Sequence, residues 1–319
     1  MNIERQIRDE AKKLLESGDV EAVIGFTQST FLGLPRPFVA RTPEDAEKLV
    51  FNRFCRYNIA GYVHRMKGKK IAIVAKGCDS RSLGVLIAEK QVDRANLRII
   101  GVPCEGMISR KKLEAKFGKL AALRKISLNE NKVHAETVTG EKLSADIDEL
   151  LHDSCKRCMH RNPVHYDVLV GEPVEENIDV NEHFAVAVEM YKKPASERWK
   201  FFSEMFLKCI RCYACRQACP TCYCEECFVD SRFPHWLDKG QHPTDIIFWH
   251  IGRLYHQAGR CVECGNCSEV CPVDIDFDAI LAYQAKKVWE RYGYDAGIAV
   301  DEPPPLQNYR VDDPQEFFL

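Results

Sequence analysis

Over residues 3–17, IERQIRDEAKKLLES, apolar Ile3, Ile7 and Leu14 recur on one helical face and Gly18 follows as a stop, which predicts a surface helix. Thr42-Pro43-Glu44-Asp45 reads as an N-cap, a proline at the first helical position and acidic residues in the first turn. That predicts a helix from 43 into the fifties, with Cys55 near its end. The apolar run 71–75 and the run 97–102 flank an amphipathic segment at 80–90, a strand–helix–strand unit whose natural topology is a parallel crossover. Each strand ends in a turn with a cysteine, Lys76-Gly77-Cys78 and Val102-Pro103-Cys104. Both thiols are therefore expected at the carboxyl edge of a sheet, where α/β proteins place ligands. A basic helix (109–117), strands at 123–128, 133–138 and 166–170 complete an α/β first domain. Residues 171–195 mix polarity between prolines and read as a connector or wrapping arm. Beyond them, 196–207 is an aromatic-faced helix, and 244–257 a helix with Ile247, Ile251 and Leu254 on one face. The expected domains are 1–195 and 196–319, the second a ferredoxin-like α+β unit with a helical C-terminal extension.

A chain of 319 residues has the length of two domains. Lys plus Arg number 45 against 47 Asp plus Glu, a net charge of -2, so no global field draws it to nucleic acid or an anionic membrane. Mean hydropathy is -0.31, no eighteen-residue apolar window exists, and the start MNIERQIRDEAKK is charged where a signal peptide needs an apolar run. The expectation is a soluble, cytoplasmic protein with no membrane span and no nucleic-acid partner. Sixteen cysteines in such a chain do not make a disulfide framework in a reducing compartment; they point to metal. Cys55, Cys78, Cys104, Cys155 and Cys158 are spread along the first half, and eleven more lie from Cys209 to Cys271.

The strongest motif is Cys209-x2-Cys212-x2-Cys215-x3-Cys219-Pro220, repeated at Cys261-x2-Cys264-x2-Cys267-x3-Cys271-Pro272. This is the spacing of bacterial dicluster ferredoxins, in which three cysteines wrap one cubane and the fourth, before proline, crosses to the other. Cys209, Cys212, Cys215 and Cys271 are thus expected on one 4Fe-4S cluster, and Cys261, Cys264, Cys267 and Cys219 on a second. Tetrahedral zinc uses two cysteine pairs a loop apart and does not need the third thiol. Cys155-x2-Cys158, with Cys78 and Cys104 on the strand-end turns, forms a plausible third four-thiolate site from three loops of one domain; buried structural cysteines are the alternative for Cys78 and Cys104. Cys222, Cys224 and Cys227 are one thiol short of a set, and by count Cys55 completes a fourth, with a redox-sensitive or packing role as the alternative.

Three stretches carry a family resemblance: KGCDSRSLGVLIAEKQVDRANLRIIGVPCEGM (76–107), DSCKRCMHRNPVHYDVLVGEP (153–173) and KCIRCYACRQACPTCYCEEC (208–227). They resemble the beta-subunit family of coenzyme F-420 hydrogenases and dehydrogenases, formate dehydrogenase beta subunits included. The resemblance implies an α/β domain that in relatives holds FAD and a 4Fe-4S cluster and exchanges a hydride with the deazaflavin. It also implies partners: a catalytic hydrogenase or formate dehydrogenase subunit, or a heterodisulfide-reductase-like flavoprotein assembly. This chain departs from that pattern in carrying its dicluster motif at the carboxyl end.

No GxGxxG run follows a predicted strand, so the phosphate-cradling candidates for a flavin are 25–30 after the apolar run 20–24, and 76–81 at a helix start, each with a surface loop as alternative. Arg110, Lys111 and Lys112 read as a solvated helix face, and His152, His160 and His165 as satisfied polar residues. No nucleophile motif supports hydrolysis. The functional expectation is an iron–sulfur electron-transfer subunit of an anaerobic oxidoreductase complex, passing electrons between a flavin or partner redox site and 4Fe-4S clusters. The alternative is a flavin-free relay or scaffold without catalysis of its own. A zinc-stabilised nucleic-acid binder is opposed by Glu225, Glu226, Asp230, Glu263 and Glu269 among the cysteines.

Overall fold

The computed structural model describes residues 2–129, 131–308 and 311 of the chain; the end of the expected second domain, 309–310 and 312–319, lies outside them. The strands are β1 (Ala22–Thr27), β2 (Arg36–Ala40), β3 (Ile71–Ala75), β4 (Leu97–Gly101), β5 (Leu123–Asn129), β6 (Lys132–Thr137), β7 (Lys142–Asp146) and β8 (Val168–Leu169). The longer helices are α1 (Ile3–Glu16), α2 (Gly77–Ala88), α3 (Arg110–Phe117), α4 (Ala185–Lys192), α5 (Ala195–Phe206), α6 (Pro243–Gln257) and α7 (Asp278–Tyr292).

One sheet runs β2-β1-β3-β4-β8, with β1, β3, β4 and β8 parallel and β2 antiparallel at the edge. Every residue of β1 and β3 is buried, because helices cover both faces of a parallel sheet. The period of two sorts the side chains: Ile24, Ile71, Ile73 and Ile99 pack with Leu83 of α2, while Val23, Ala72, Val74 and Ile100 pack with Ile7, Ala11 and Leu14 of α1. The strand–helix–strand unit is formed with β3 and β4 parallel. Strands β5, β6 and β7 make a separate antiparallel sheet over Leu113 and Phe117 of α3.

Several elements depart from expectation. The helix starting at Pro43 stops at Ala46, because Val50 N–H donates to the Phe26 carbonyl (2.9 Å) and Leu49 bridges Thr27, drawing the chain back along β1. Helix α2 begins at Gly77, so Cys78 sits in its first turn; Asp79 fixes that start by accepting from Lys76 N (3.0 Å) and Ile59 N (2.7 Å). The segment 171–195 is not a simple connector. Its helical turn Val180–His183 and α4 pack on α7, where Phe184 and Ala187 meet Ala282, Tyr283 and Trp289. On α6 the buried face is Ile246, Trp249, His250, Arg253 and Gln257, leaving Ile247, Ile251 and Leu254 half-buried. Rings decide this, since Trp249 and His250 meet Tyr213, Phe206, Phe228 and Phe277. The α+β expectation for the second domain is not met: among the described residues no strand follows β8, and helices α5, α6 and α7 surround loops and short turns that carry the cysteines. No helix among the described residues is long and apolar enough to cross a membrane.

Polar, buried contacts bind the two halves. Asn266 accepts from Asn58 N (2.9 Å) and donates to the Asn58 and Ala218 carbonyls, while Asn58 Nδ2 donates to the Cys78 carbonyl (2.9 Å). Buried Glu269 accepts from Ser109 Oγ (2.9 Å), Arg110 N (2.7 Å) and Arg56 (3.4 Å). Arg157, between Cys155 and Cys158, grips Asp278 with two nitrogens (3.0 and 2.7 Å) and Glu263 with one (3.0 Å).

Candidate metal centres

The two cysteine runs fold alike. In the first, Arg211 (φ 52°) and Tyr213 (φ 58°) are left-handed, and in the second so are the equivalent Glu263 (φ 55°) and Gly265 (φ 74°). The third cysteine of each enters a short helix, Ala214–Gln217 or Asn266–Glu269. Non-glycine residues adopt this backbone only when the surroundings impose it, and here it curls each chain around its three thiols. Arg211 N–H donates to Cys209 Sγ (3.3 Å) and Glu263 N–H to Cys261 Sγ (3.4 Å), the same bond in both copies.

The cysteines before proline cross over. Cys209 has Cys215, Cys271 and Cys212 as thiol neighbours, and Cys261 has Cys267, Cys264 and Cys219. Burial pushes the thiol pKa of Cys209 up to about 11 and that of Cys267 to about 12. Replacing the proton by a cation, as metal binding does, offsets the cost of ionising such thiols. Buried Arg253 faces Cys267, Cys215, Cys219 and Cys222, donates to the Cys215 carbonyl (3.4 Å), and lies over the Phe277 ring (5.6 Å). Its Nε has no hydrogen-bond partner among the described residues. A guanidinium buried among thiols is costly unless they are ionised, so the surroundings fit an anionic thiolate cluster.

Cys78, Cys104, Cys155 and Cys158 line one cavity of about 40 Å³ at the carboxyl edge of the sheet. Three local devices bring them there: the first turn of α2, the loop after β4, and the short helix Asp153–Lys156, whose N-cap His152 accepts from Ser154 N (3.3 Å). Gly106 N–H donates to Cys104 Sγ (3.4 Å). Burial lifts Cys104 to about 11 and Cys155 to about 12, while Lys76 pulls both the other way. Lys76 is 1% exposed, pairs with Asp79 (2.8 Å) and donates to the Tyr57 carbonyl (3.0 Å). Arg81 and Arg161 act in the same sense on Cys158. Cys264 lines this cavity too and is an electrostatic neighbour of Cys78.

Cys222, Cys224 and Cys227 line a different cavity, of about 340 Å³. Cys55 is not with them. It is fully buried in the sheet core with Ile24, Phe26 and Ile59, donates to the Val50 carbonyl (3.7 Å), and burial raises its thiol to about 11. The early end of the Pro43 helix and the return to β1 put it there, so the set Cys55, Cys222, Cys224 and Cys227 expected by counting is corrected. Among the described residues no three His, Cys, Asp or Glu side chains converge as ligands of a single ion. A cubane spaces its thiolates more widely than one ion does.

The first glycine of each flavin-cradle candidate is closed in by neighbours. Gly25 lies inside β1, where a Cβ would meet Leu49 at 2.8 Å, and the start of α2 is roofed by the loop at 160–162, with the His160 carbonyl 2.1 Å from a Cβ at Gly77. Arg110, Lys111 and Lys112 are engaged in ion pairs with Glu114, Asp274 and Asp153. His152, His160 and His165 have partners in Ser154, Asp295 and the Gly297 carbonyl. The sequence reading missed Arg253, Asn266 and Arg157. A lone arginine on a helix, as Arg253 is, reads as solvated; Arg157 and Asn266, each set between two cysteines, carried a local signal.

Residues 68–188 match the family of the C-terminal region of the coenzyme F420 hydrogenase/dehydrogenase beta subunit, and 205–275 match a 4Fe-4S dicluster domain. The chain is 27% identical to the F420-dependent formate dehydrogenase subunit beta of Methanocaldococcus jannaschii, covering 74% of this chain and 76% of the relative. It is 30% identical to the F420-dependent formate dehydrogenase 1 subunit beta of Methanococcus maripaludis over 36% of this chain and 28% of that one. Among solved structures, a chain of the F420-reducing [NiFe] hydrogenase complex from Methanosarcina barkeri aligns with a TM-score of 0.38 and 18% identity, over 49% of this chain and 59% of that one. The chain thus pairs a region similar to the beta subunit of coenzyme F420 hydrogenases/dehydrogenases with a region similar to 4Fe-4S dicluster domains, and is an iron–sulfur electron-transfer subunit.

Proposed function

We propose that this chain is a flavin-free relay within an oxidoreductase complex, with three cysteine quartets along one electron path. Cys209, Cys212, Cys215 and Cys271 hold one 4Fe-4S cluster; Cys261, Cys264, Cys267 and Cys219 hold a second; Cys78, Cys104, Cys155 and Cys158 hold a third. The observation that carries this reading is contiguity. Cys215 neighbours Cys219 and Cys267, and Cys264 shares a cavity with Cys78, so the quartets form an unbroken row across both halves. Bound there, cubanes supply one-electron transfer. The chain's own residues leave only Cys212 of the row exposed, donate N–H bonds to sulfur, and place Arg253 and Lys76 where positive charge favours added electrons.

The two-electron chemistry then belongs to a partner, of the hydrogenase, formate dehydrogenase or heterodisulfide-reductase-like kind that the family resemblance implies. The closed positions at Gly25 and Gly77 favour this over an FAD-containing subunit. The test is to denature the anaerobically purified complex, measure FAD and FMN per copy of this chain with the partners assayed separately, and record EPR spectra of the reduced protein. No flavin following this chain is expected, with a signal for each of the three quartets, one of which disappears in Cys155→Ser. Stoichiometric flavin on this chain would make it a redox enzyme component instead.

A further inference from the structure

The helical turn Gly61–Arg65 leaves the first half and lands on the second. Gly61 permits this, since a Cβ there would lie 3.2 Å from Pro220 Cα, and Arg65 holds it down by donating to the Gln217 carbonyl (3.1 Å). One turn on from Gly61, His64 reaches the segment that follows the first cysteine run. Its ring centroid is 5.7 Å from that of Tyr223, the residue between Cys222 and Cys224. His64 Nδ1 is buried and has no hydrogen-bond partner among the described residues. It lines the same cavity of about 340 Å³ as Cys222, Cys224 and Cys227, far more room than a single ion needs.

We propose that Cys222, Cys224, Cys227 and His64 hold a further 4Fe-4S cluster that spans the two halves of the chain. This rests on the reading of the chain as an iron–sulfur relay. Three thiols make the softer part of the ligand set, and imidazole is an accepted replacement for thiolate on iron–sulfur centres. Of the other donors lining the cavity, Asp230 pairs with Arg216 (2.6 Å), Glu225 is exposed, and the His256 ring sits edge-on to Phe228 (centroids 5.2 Å). The site also adjoins the row. Gln257 donates to Cys222 Sγ (3.3 Å), while its Oε1 is 2.6 Å from Thr221 Oγ1 and 3.5 Å from Cys219 Sγ, so one side chain links this site to the second quartet. Cys224 is exposed, which brings this cluster to the molecular surface.

The full chain, loaded with iron and sulfide anaerobically, is assayed for iron per chain and for the EPR spectrum after reduction. Cys224→Ser combined with Cys227→Ser should lose about four irons per chain while the other clusters keep their signals. His64→Ala should shift or abolish the same signal, and chain labelled with 15N-histidine should show nitrogen coupling on it in the wild type only. Wild-type iron in the double variant, whether its thiols are free or oxidised, overturns the proposal, as does an unchanged signal in His64→Ala. Cys155→Ser separates the two levels: if it too retains all iron, the relay reading has failed and not this site alone.

Discussion

His250 shows how far one buried side chain departs from its behaviour in water. It stacks on Phe206 (centroids 4.3 Å, interplanar 8°), and burial, reinforced by Arg253, pushes its pKa down to about 3. The folded chain therefore keeps the ring neutral where an unfolded chain protonates it near 6.5. As pH falls from about 6.5 toward 3 the unfolded state takes up a proton that the folded state refuses, and stability is lost at up to about 1.4 kcal/mol per pH unit. His250→Phe should flatten that slope. Denaturant midpoints at pH 7 and pH 5 would show the wild type losing about 1–2 kcal/mol more than the variant; equal losses would assign the acid sensitivity elsewhere.

Elements are joined here through charge as much as through apolar packing. The start of α7 brings Asp278, the second cysteine run brings Glu263, and the turn Val180–His183 brings His183, whose Nε2 lies 2.8 Å from Glu263. Burial pushes Glu263 up, but His183 and Arg157 overcome it and hold its pKa below the usual carboxylate value. All depend on Arg157. Arg157→Ala leaves two acidic groups buried without their cation and should cost about 3–5 kcal/mol, read by chemical denaturation under anaerobic conditions. Arg157→Lys, a point charge that cannot bind both carboxylates in the same planar geometry, should fall between the two. Element by element, α1, α2 and α3 were legible from period and caps, because their apolar residues face the core directly; α5 was legible as a helix, but its aromatic face is only partly covered, with Trp199 and Phe201 exposed. The helical packing of 171–195 on α7 was not legible, because its apolar residues find partners about a hundred positions later in the chain.

For the whole molecule, the dicluster motif alone suggests that a fragment from about 195 onward should stand by itself and be coloured, since both its quartets are internal. The folded chain argues against this. Such a cut removes α4 from α7 and exposes Glu263, Glu269, Asn266 and Asp278, all buried against the first half. The fragment should aggregate or lose its iron where the full chain does not, and size exclusion with iron analysis of both would decide it. By itself the sequence determined what short range controls: the two cysteine runs, the strand–helix–strand unit that puts Cys78 and Cys104 at one sheet edge, and the sulfur-rich chemistry that follows. Spacing of a few residues suffices there, because three ligands of a cubane come from one loop. Only the tertiary structure decided which remaining thiols meet. Cys55 was withdrawn into the core by a backbone bond to β1, and His64 was carried to Cys222 by a turn resting on Pro220. These choices depend on contacts between distant segments, whose pairing no local pattern of hydrophobic and polar residues encodes.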